Sequence, residues 1–314
     1  MDLSTQLNSP QSLLQKQRKH KIWAVGGGKG GVGKSLVAAN VSICLSLMGH
    51  KVVSVDLDLG GANMHTCLGI PIPEVTLSDY LSRKVQNIKD LLIPTPFNNL
   101  SIISGAQDEL GIANLKQMHK NKLLSKLNEI EADYILFDLG AGTNFNTIDF
   151  FISSDQGILV VLPEPTSIEN SYRFIKSVYH RRLRMIEDLL DIQPLINQAM
   201  NAKLSAQSTP AELVKRVIDI NPEMGLRLQA EIAKFKPKLI MNQVRSQNDI
   251  DIGFSIQSVC KRYFGIDLEY VGYLDYDASV WQSVKKRKPL LMEFPNSKLV
   301  KNFDRIVHRL LELS

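Results

Sequence analysis

The chain has 314 residues, of which 44% are hydrophobic and 22% charged, and its net charge of +5 permits contact with nucleic acid or anionic lipid without indicating either. Its longest apolar run, 158–162, is too short for a membrane span, and the polar and basic start of the chain lacks the apolar core of a signal peptide. Three scattered cysteines without a CxxC pair argue against a disulfide framework or a cysteine metal site, and we expect a cytoplasmic protein.

Apolar, β-rich runs alternate with helical stretches along most of the chain, which is the pattern of a parallel sheet covered on both faces. The predicted strands are Ile22–Val25, Lys51–Val55, Leu100–Ile103, Tyr134–Phe137, Gly157–Leu162, Lys238–Met241 and Leu268–Gly272. A helix is predicted over Leu36–Met48, with Gly49 as the residue that ends it. The expected fold is α/β, a doubly wound, mostly parallel sheet with helices on both faces.

Two regions depart from this alternation. Residues 1–20 lack any strand signal and are predicted to form an N-terminal tail, followed by one domain over 21–314. Residues of about 168–236 show helical spacing without a convincing strand, and we interpret them as a helical elaboration between two core strands. This block is longer than an ordinary crossover requires, which favours contact with a protein partner or across a dimer. The alternative is that its helices extend the outer layer of the fold.

The loop Gly26–Ser35 lies between the first predicted strand and helix and contains the pattern G-x-x-x-x-G-K-[ST]. The residues that match the pattern are Gly28, Lys29, Gly30, Gly31, Val32, Gly33, Lys34 and Ser35. Glycines allow backbone N–H groups to surround phosphate oxygens, and the helix start adds its positive dipole end. Lys34 is expected to reach the β- and γ-phosphates, and the Ser35 hydroxyl to ligate Mg²⁺. A glycine-rich turn with a chance Lys-Ser pair is the alternative, and the strand and helix on either side argue against it.

Three aspartates stand at the ends of predicted strands. Asp56 and Asp58 close the second strand, and Asp138 ends the apolar run Ile135–Asp138 in the arrangement of a Walker B motif. Asp138 is expected to hold Mg²⁺ through water, and phosphoryl transfer also needs a group that orients the attacking water. Aspartates that merely cap strand ends are common, but three of them together with a phosphate loop favour a catalytic site.

The extra lysine inside the loop, Lys29 of Gly26–Ser35, resembles the deviant Walker A motif of the MinD/ParA family of P-loop NTPases. The resemblance implies that Lys29 reaches across an ATP-dependent homodimer to the partner's nucleotide and is catalytic together with Lys34. It implies that Asp58 positions or activates water and that Asp56 supports Mg²⁺. It also implies that Asn242, after a later strand, reads adenine, although a simple turn residue is the alternative.

Further short motifs indicate which branch of the family the sequence resembles. The segment Leu139–Gly142 reads Leu-Gly-Ala-Gly where MinD and ParA usually carry Thr-Pro-Ala-Gly, and the glycine is similar to the flagellar-number regulators FlhG/FleN. Leu68–Ile70 and Pro163–Ser167 are additional family marks. The GTP-reading sequence N-K-x-D is missing, because Asn121–Leu124 lacks its aspartate, so ATP is preferred over GTP.

Three basic stretches offer candidate partner surfaces. The amphipathic segment 298–310 has the spacing of a membrane anchor, but a last helix that packs on the sheet is the favoured interpretation, because the core needs that cover. Residues 285–288 suit DNA or anionic lipid, or else the cation-favouring end of a helix. The arginines of the helical block are interpreted as a solvated helix face: Arg181, Arg182 and Arg184.

The sequence therefore predicts an ATPase with ATP and Mg²⁺ as cofactors, which switches between monomer and dimer and hydrolyses ATP slowly. We expect it to regulate the placement, number or assembly of an apparatus such as the flagellum, with a protein partner, in the cytoplasm or peripherally at the membrane or cell pole. No dedicated membrane anchor is indicated. The alternatives are a ParA-like DNA segregation ATPase, a metal-cluster carrier, which the lack of paired cysteines disfavours, and a metabolic ligase, for which no substrate motif is found.

Overall fold

A computed structural model describes residues 19–58, 61–105, 117–201 and 209–313. Its central feature is one sheet in the order β3-β4-β2-β5-β1-β6-β7-β8, in which β3 runs antiparallel to β4 and the other neighbours are parallel. The strands are β1 (Lys21–Gly26), β2 (Val52–Leu57), β3 (Ile93–Pro94), β4 (Leu100–Ile103), β5 (Tyr134–Leu139), β6 (Gln156–Val161), β7 (Lys238–Val244) and β8 (Glu269–Asp275). All seven predicted strands are confirmed. The short edge strand β3 was not predicted, because two residues that include a proline give almost no strand signal.

Helices cover both faces of this sheet. They are α1 (Lys34–Leu47), α2 (Met64–Cys67), α3 (Leu77–Leu81), α4 (Gln117–Leu127), α5 (Phe145–Ser153), α6 (Pro165–Leu190), α7 (Gln193–Asn201), α8 (Pro210–Ile220), α9 (Pro222–Ala233), α10 (Gln247–Phe264), α11 (Ser279–Lys286), α12 (Leu290–Glu293) and α13 (Lys298–Glu312). The predicted first helix is confirmed, and the positive φ of Gly49 lies just beyond its end.

The central strand β1 shows how the layers are divided. Ile22 and Ala24 point into the core formed with α3 to α10, whereas Trp23 and Val25 point into the core formed with α1, α12 and α13. Alternation along a strand sends successive side chains to opposite faces, and here both faces are apolar because both are covered. The doubly wound α/β fold predicted from the sequence is confirmed.

The helical block predicted at about 168–236 consists of most of α6 together with α7, α8 and α9. No strand occurs in the described parts of the block, 168–201 and 209–236, while residues 202–208 lie outside the described residues. Val217 of α8 and Leu228 of α9 are fully buried in the same core as Tyr179 of α6 and Ile256 of α10. This burial favours the alternative in which the helices extend the outer layer of the fold.

Two of the three arginines in the block do not lie on a solvated face, so that interpretation was wrong for them. Arg181 Nε donates to Asp149 Oδ1 at 2.8 Å. Arg182 Nη2 donates to the Glu231 carbonyl at 3.0 Å, and its guanidinium lies 5.4 Å from the ring centre of Phe235. Only Arg184 is exposed as predicted. The sequence did not reveal these contacts because the partners lie on α5 and α9, far away along the chain.

The other basic stretches take the positions that the less specific interpretations predicted. In α13 the apolar side chains are buried against the sheet, namely Leu299, Phe303, Ile306, Val307 and Leu310. The cluster 285–288 spans the end of α11, where Arg287 is the C-terminal cap. Across the described residues, no helix is both long enough and apolar enough to cross a bilayer. Of the predicted tail 1–20, residues 1–18 lie outside the described residues.

Candidate functional site

The phosphate loop occupies the carboxyl end of β1, in the centre of the sheet, where open α/β sheets place ligands. A side chain at Gly28 is excluded, since a Cβ atom there would lie 2.0 Å from the carbonyl oxygen of Asn170 on α6. At Gly33 the backbone has φ 92°, and a Cβ atom would lie 2.4 Å from Asn242 Nδ2. Gly33 caps α1 without a side-chain hydrogen bond, so the first backbone N–H groups of α1 keep their capacity to bind an anion.

Lys34 is buried at the first position of α1 and faces the aspartates. Its ammonium donates to the Lys29 carbonyl at 3.4 Å. Burial lowers the pKa of Lys34, and the carboxylates of Asp138 and Asp58 oppose that shift. The cation predicted to bind phosphate therefore lies where the strands after the loop deliver their acidic side chains.

Asp56 and Asp138 form a buried carboxyl pair. They are register partners on the adjacent parallel strands β2 and β5, and each is almost fully buried. Asp56 accepts hydrogen bonds from the backbone N–H groups of Asp58 and Met64, both at 3.1 Å. Burial nevertheless raises the pKa of Asp56 to about 7, because desolvation of the carboxylate outweighs these bonds.

The pKa of Asp138 is also raised by burial. Burial and the neighbouring Asp56 raise its pKa well above the usual range, and Ser35 and Lys34 oppose the shift only in part. Neither carboxyl oxygen of Asp138 has a hydrogen-bond partner of good geometry among the described residues. A buried acidic oxygen without a donor suits a cation, which would remove the cost of desolvating the charge.

Asp58 lies beside this pair, against the turn that follows β5. A Cβ atom at Gly140 would lie 3.1 Å from Asp58 Oδ1, so a larger residue at position 140 would press on the carboxylate. This contact gives a physical reason for the glycine in Leu139–Gly142 that the sequence offered only as a family mark. The carbonyl of Asp58 also accepts a hydrogen bond from Gly61 N–H at 3.2 Å, while Gly60 lies outside the described residues.

Asn242 closes the site from β7. Its Nδ2 donates to the Val32 carbonyl at 2.8 Å, and its Oδ1 accepts from Gln243 N–H at 2.9 Å. The side chain is buried and braces the phosphate loop, a role that neither sequence interpretation of Asn242 included. No local pattern signals this contact, since 210 positions separate Asn242 from Val32.

Lys29 points away from the aspartates and is partly exposed. Its ammonium lies 3.2 Å from Glu164 Oε2 and 3.0 Å from Thr166 Oγ1, both in the predicted motif Pro163–Ser167. The structure thus joins two motifs that the sequence identified separately. It brings Lys34, Ser35, Asp56, Asp58 and Asp138 together at one edge and leaves Lys29 at the outer rim.

Comparison with known proteins agrees with this geometry. The family profile described as AAA domain matches residues 20–192, which include the phosphate loop and all three aspartates. The chain belongs to that family. Within it, this AAA-domain protein is a MinD/ParA-type ATPase with a deviant Walker A motif, close to the FlhG/FleN branch.

Two curated relatives and one solved structure illustrate the similarity of this MinD/ParA-type ATPase. The antiactivator FleN of Pseudomonas aeruginosa is 28% identical over 280 residues, which cover 88% of this chain and 81% of FleN. The flagellum site-determining protein YlxH of Helicobacter pylori is 31% identical over 182 residues, 56% of this chain and 60% of YlxH. The septum site-determining protein MinD of Pyrococcus horikoshii, solved with Mg-ADP, has the same fold, with a TM-score of 0.63, 23% identity and coverage of 94% of this chain and 97% of that one.

Proposed function

We propose that the protein is an ATP-dependent dimerising switch that hydrolyses ATP slowly and regulates the placement, number or assembly of a cellular apparatus such as the flagellum. The observation that carries the proposal is the convergence of the phosphate loop, Asp58 and the buried Asp138 at one edge of the sheet, where the described residues offer the Asp138 carboxyl oxygens no hydrogen-bond donor of good geometry. The names of the two relatives, antiactivator FleN and flagellum site-determining protein YlxH, support the regulatory role.

The donor set fits Mg²⁺ together with a nucleotide phosphate. Magnesium usually takes one or two carboxylates and completes its shell with water and phosphate oxygens. Ser35, Asp138 and Asp56 would hold it here, and no cluster of three or more His, Cys, Asp or Glu side chains among the described residues forms a closed protein cage. When bound, the ion neutralises charge that develops on the phosphates. The Mg-ADP complex of the horikoshii MinD supports this choice.

The side chains of this protein supply the remaining functions. Lys34 places a positive charge against the β- and γ-phosphates, and the start of α1 contributes backbone N–H groups. Asp58 orients the attacking water, and Gly140 leaves room for its carboxylate. Asn242 holds the loop in shape and is proposed to contact adenine as well, from the carboxyl end of β7.

Lys29 is proposed to act in the dimer. In the monomer its partners are Glu164 and Thr166, and the Lys29 and Glu164 side chains are 37% and 53% exposed. Exposed ion pairs contribute on the order of 0–1 kcal/mol, so the lysine can exchange this contact for a nucleotide phosphate of a second subunit. Nucleotide state would then control dimerisation and the display of a protein-binding surface, in the cytoplasm or peripherally at the membrane.

The proposal is tested with Asp58→Ala. This variant should bind ATP and Mg²⁺ but hydrolyse ATP at least about 100-fold more slowly, because it loses the water-orienting group. Light scattering should then show a persistent dimer with ATP, where wild type returns to monomer. Asp188→Ala, on the exposed side of α6, is the matched control and should behave as wild type.

Two results would contradict the proposal. One is an Asp58→Ala protein that stays monomeric with ATP while wild type dimerises, and the other is unchanged hydrolysis. The DNA segregation alternative makes a different prediction, namely ATP-dependent, salt-sensitive binding to nonspecific duplex DNA. A gel-shift titration at two salt concentrations distinguishes the two functions.

A further inference from the structure

One carboxylate joins three helices on the face of the sheet opposite α1. Asp149 of α5 accepts hydrogen bonds from two nitrogens of Arg181 on α6, from Nε at 2.8 Å and from Nη2 at 3.4 Å. The same carboxylate pairs with the ammonium of Lys120 on α4. The side chains of Lys120 and Asp149 are 5% and 10% exposed, and that of Arg181 is 35% exposed. We call these three residues the Asp149 triad.

Stability alone does not explain why charges occupy this position. Taking two cations and a carboxylate out of water costs free energy that their attraction only partly offsets, and apolar side chains of similar volume often stabilise a protein at least as well. The same helix uses apolar side chains elsewhere, since Ile148, Phe150 and Phe151 are buried in the core. Paired hydrogen bonds between an arginine and a carboxylate add a fixed direction, which an apolar contact lacks. The triad therefore holds α5 and α6 in one relative position.

The segment before α5 contacts both the phosphate loop and a catalytic carboxylate. Gly142 N–H donates to the carbonyl of Gly27 at 3.2 Å. Gly140 lies so close to Asp58 that a Cβ atom there would be 3.1 Å from the carboxylate oxygen Oδ1. Helix α5 begins only three residues after Gly142, at Phe145. A displacement of α5 therefore changes the surroundings of the residue that is proposed to orient water.

The start of α6 reaches the phosphate loop from the other side. Thr166 Oγ1 lies 3.0 Å from Lys29 Nζ, and Glu164, which precedes the helix, pairs with the same ammonium at 3.2 Å. One turn further along α6, the carbonyl of Asn170 packs on Gly28. Lys29 is the residue that is proposed to leave these partners when two subunits join. A change at Lys29 therefore acts first on α6, whereas the water-orienting carboxylate depends on α5.

We propose that Asp149 is a positioning residue that makes α5 and α6 move together, so that the exchange of the Lys29 contact in the dimer reaches Asp58. This inference rests on the proposed function, because it requires a dimer and a water-orienting Asp58. Asp149 lies on the second turn of α5 and acts through the helix, not on the reacting atoms. Loss of the triad should therefore leave nucleotide binding intact and remove the dependence of hydrolysis on dimer formation.

A triple variant separates this coupling from stability. Lys120→Met, Asp149→Leu and Arg181→Met together replace the triad by apolar side chains, and the protein should fold, since such replacements are often neutral or stabilising. ATP hydrolysis per subunit is measured at protein concentrations below and above the midpoint of dimerisation, which light scattering locates. The rate of wild type should rise by about ten-fold or more over this range, and that of the triple variant by less than about two-fold, although it still dimerises.

The buried ion pair of Lys238 and Glu269 supplies the matched control. It joins β7 and β8 in register at the amino ends of these strands, far from the carboxyl edge. Lys238→Met combined with Glu269→Leu also replaces buried charges by apolar side chains, and it should keep the concentration dependence of wild type. Thermal unfolding and calorimetry with ATP verify that each variant folds and binds nucleotide.

A second variant covers the case in which the triple variant does not fold. Lys120→Met combined with Asp149→Asn keeps the net charge of the triad and leaves Arg181 a neutral acceptor, so the rise in hydrolysis should lie between those of wild type and the triple variant. A rise as steep as that of wild type in the folded variants overturns the proposal. Equal loss in the control, or loss of ATP binding in the triple variant, also overturns it. Wild type without dimers, or with a rate independent of concentration, contradicts the proposed function and the inference with it.

Discussion

The carboxyl edge of the sheet, where Lys34, Asp56 and Asp138 lie, differs from the helical block at 168–236 in the kind of side chain that it buries. At the edge, Asp56 and Asp138 are buried polar groups with raised pKa values, and Lys34 is a buried cation with a lowered pKa. In the block, apolar side chains fill the core and polar ones cap helices, as in the reciprocal hydrogen bonds of Thr209 and Glu212. The buried charges at the edge carry an electrostatic cost that a bound ligand can remove, whereas the described part of the block adds stability through its buried apolar side chains.

The largest expected effect concerns the edge. Lys34→Ala should abolish measurable ATP binding, a loss of at least about 100-fold, because it removes the charge opposite the β- and γ-phosphates. The variant should fold, since the substitution removes the cost of desolvating a buried ammonium. Calorimetry with ATP and Mg²⁺ measures the affinity, and Lys51→Ala, which changes an exposed lysine just before β2, is the control. Unchanged affinity would contradict our placement of the phosphates and remove the contrast between the two regions.

A substitution in the helical block should lower stability and leave ATP binding unchanged. Leu228→Ala should lower the free energy of unfolding by roughly 2–5 kcal/mol, because Leu228 is fully buried in the core shared with α6 and α10. Its affinity for ATP should not change in the folded protein. Leu226→Ala, an exposed leucine on the same helix, should cost less than about 0.5 kcal/mol.

Measuring the free energy of unfolding also distinguishes a core role from a partner-binding role for the helical block. The sequence favoured a partner-binding role and predicts that a Gly/Ser linker in place of residues 201–231 leaves ATP binding intact. The burial of Val217 and Leu228 indicates instead that this replacement exposes the core and destabilises the fold. Denaturant unfolding of the two leucine variants tests this without deleting any residue. Equal stability of the two variants would return the block to a separable, partner-binding role.

The smallest expected effect is a pH dependence of stability that arises from the carboxyl edge. The pKa of Asp56 is raised to about 7 in the folded protein, above its ordinary 3.8, so the folded state binds this proton more tightly than the unfolded state. Without Mg²⁺ and nucleotide, the stability from this group is complete below the unfolded pKa and is lost as the pH rises through the folded value. Between about pH 5 and about pH 7 the loss should be roughly 2 kcal/mol, since one pKa unit corresponds to about 1.4 kcal/mol.

Asp56→Asn isolates this contribution, because its side chain is neutral at every pH. Chemical denaturation across the pH range should give a flatter curve for the variant than for wild type. Parallel curves would show that Asp56 does not carry the electrostatic cost assigned to the edge.

The sequence predicts those parts of the molecule whose cause is local. Lys34 and Ser35 follow from a contiguous pattern, and strand β5 follows from the apolar run Tyr134–Phe137. The contacts of Arg182 with Glu231 and of Gly140 with Asp58 depend on which elements become neighbours, and no periodicity reports that. The resemblance to a family assigned roles to Lys29 and Asn242, but the monomer contacts of these residues could be found only in three dimensions.

The brace between Asn242 and the phosphate loop bears on how the protein is made. Synthesis proceeds from the N-terminus, so Gly33 and Val32 emerge long before the strand that carries Asn242. Until β7 has been synthesised and has docked beside β6, the carbonyl of Val32 lacks this hydrogen-bond donor. A growing or truncated chain that ends before residue 242 therefore has every residue of the nucleotide-binding pattern but lacks this brace. We therefore expect a chain that ends before β7 to bind nucleotide less tightly than the complete protein.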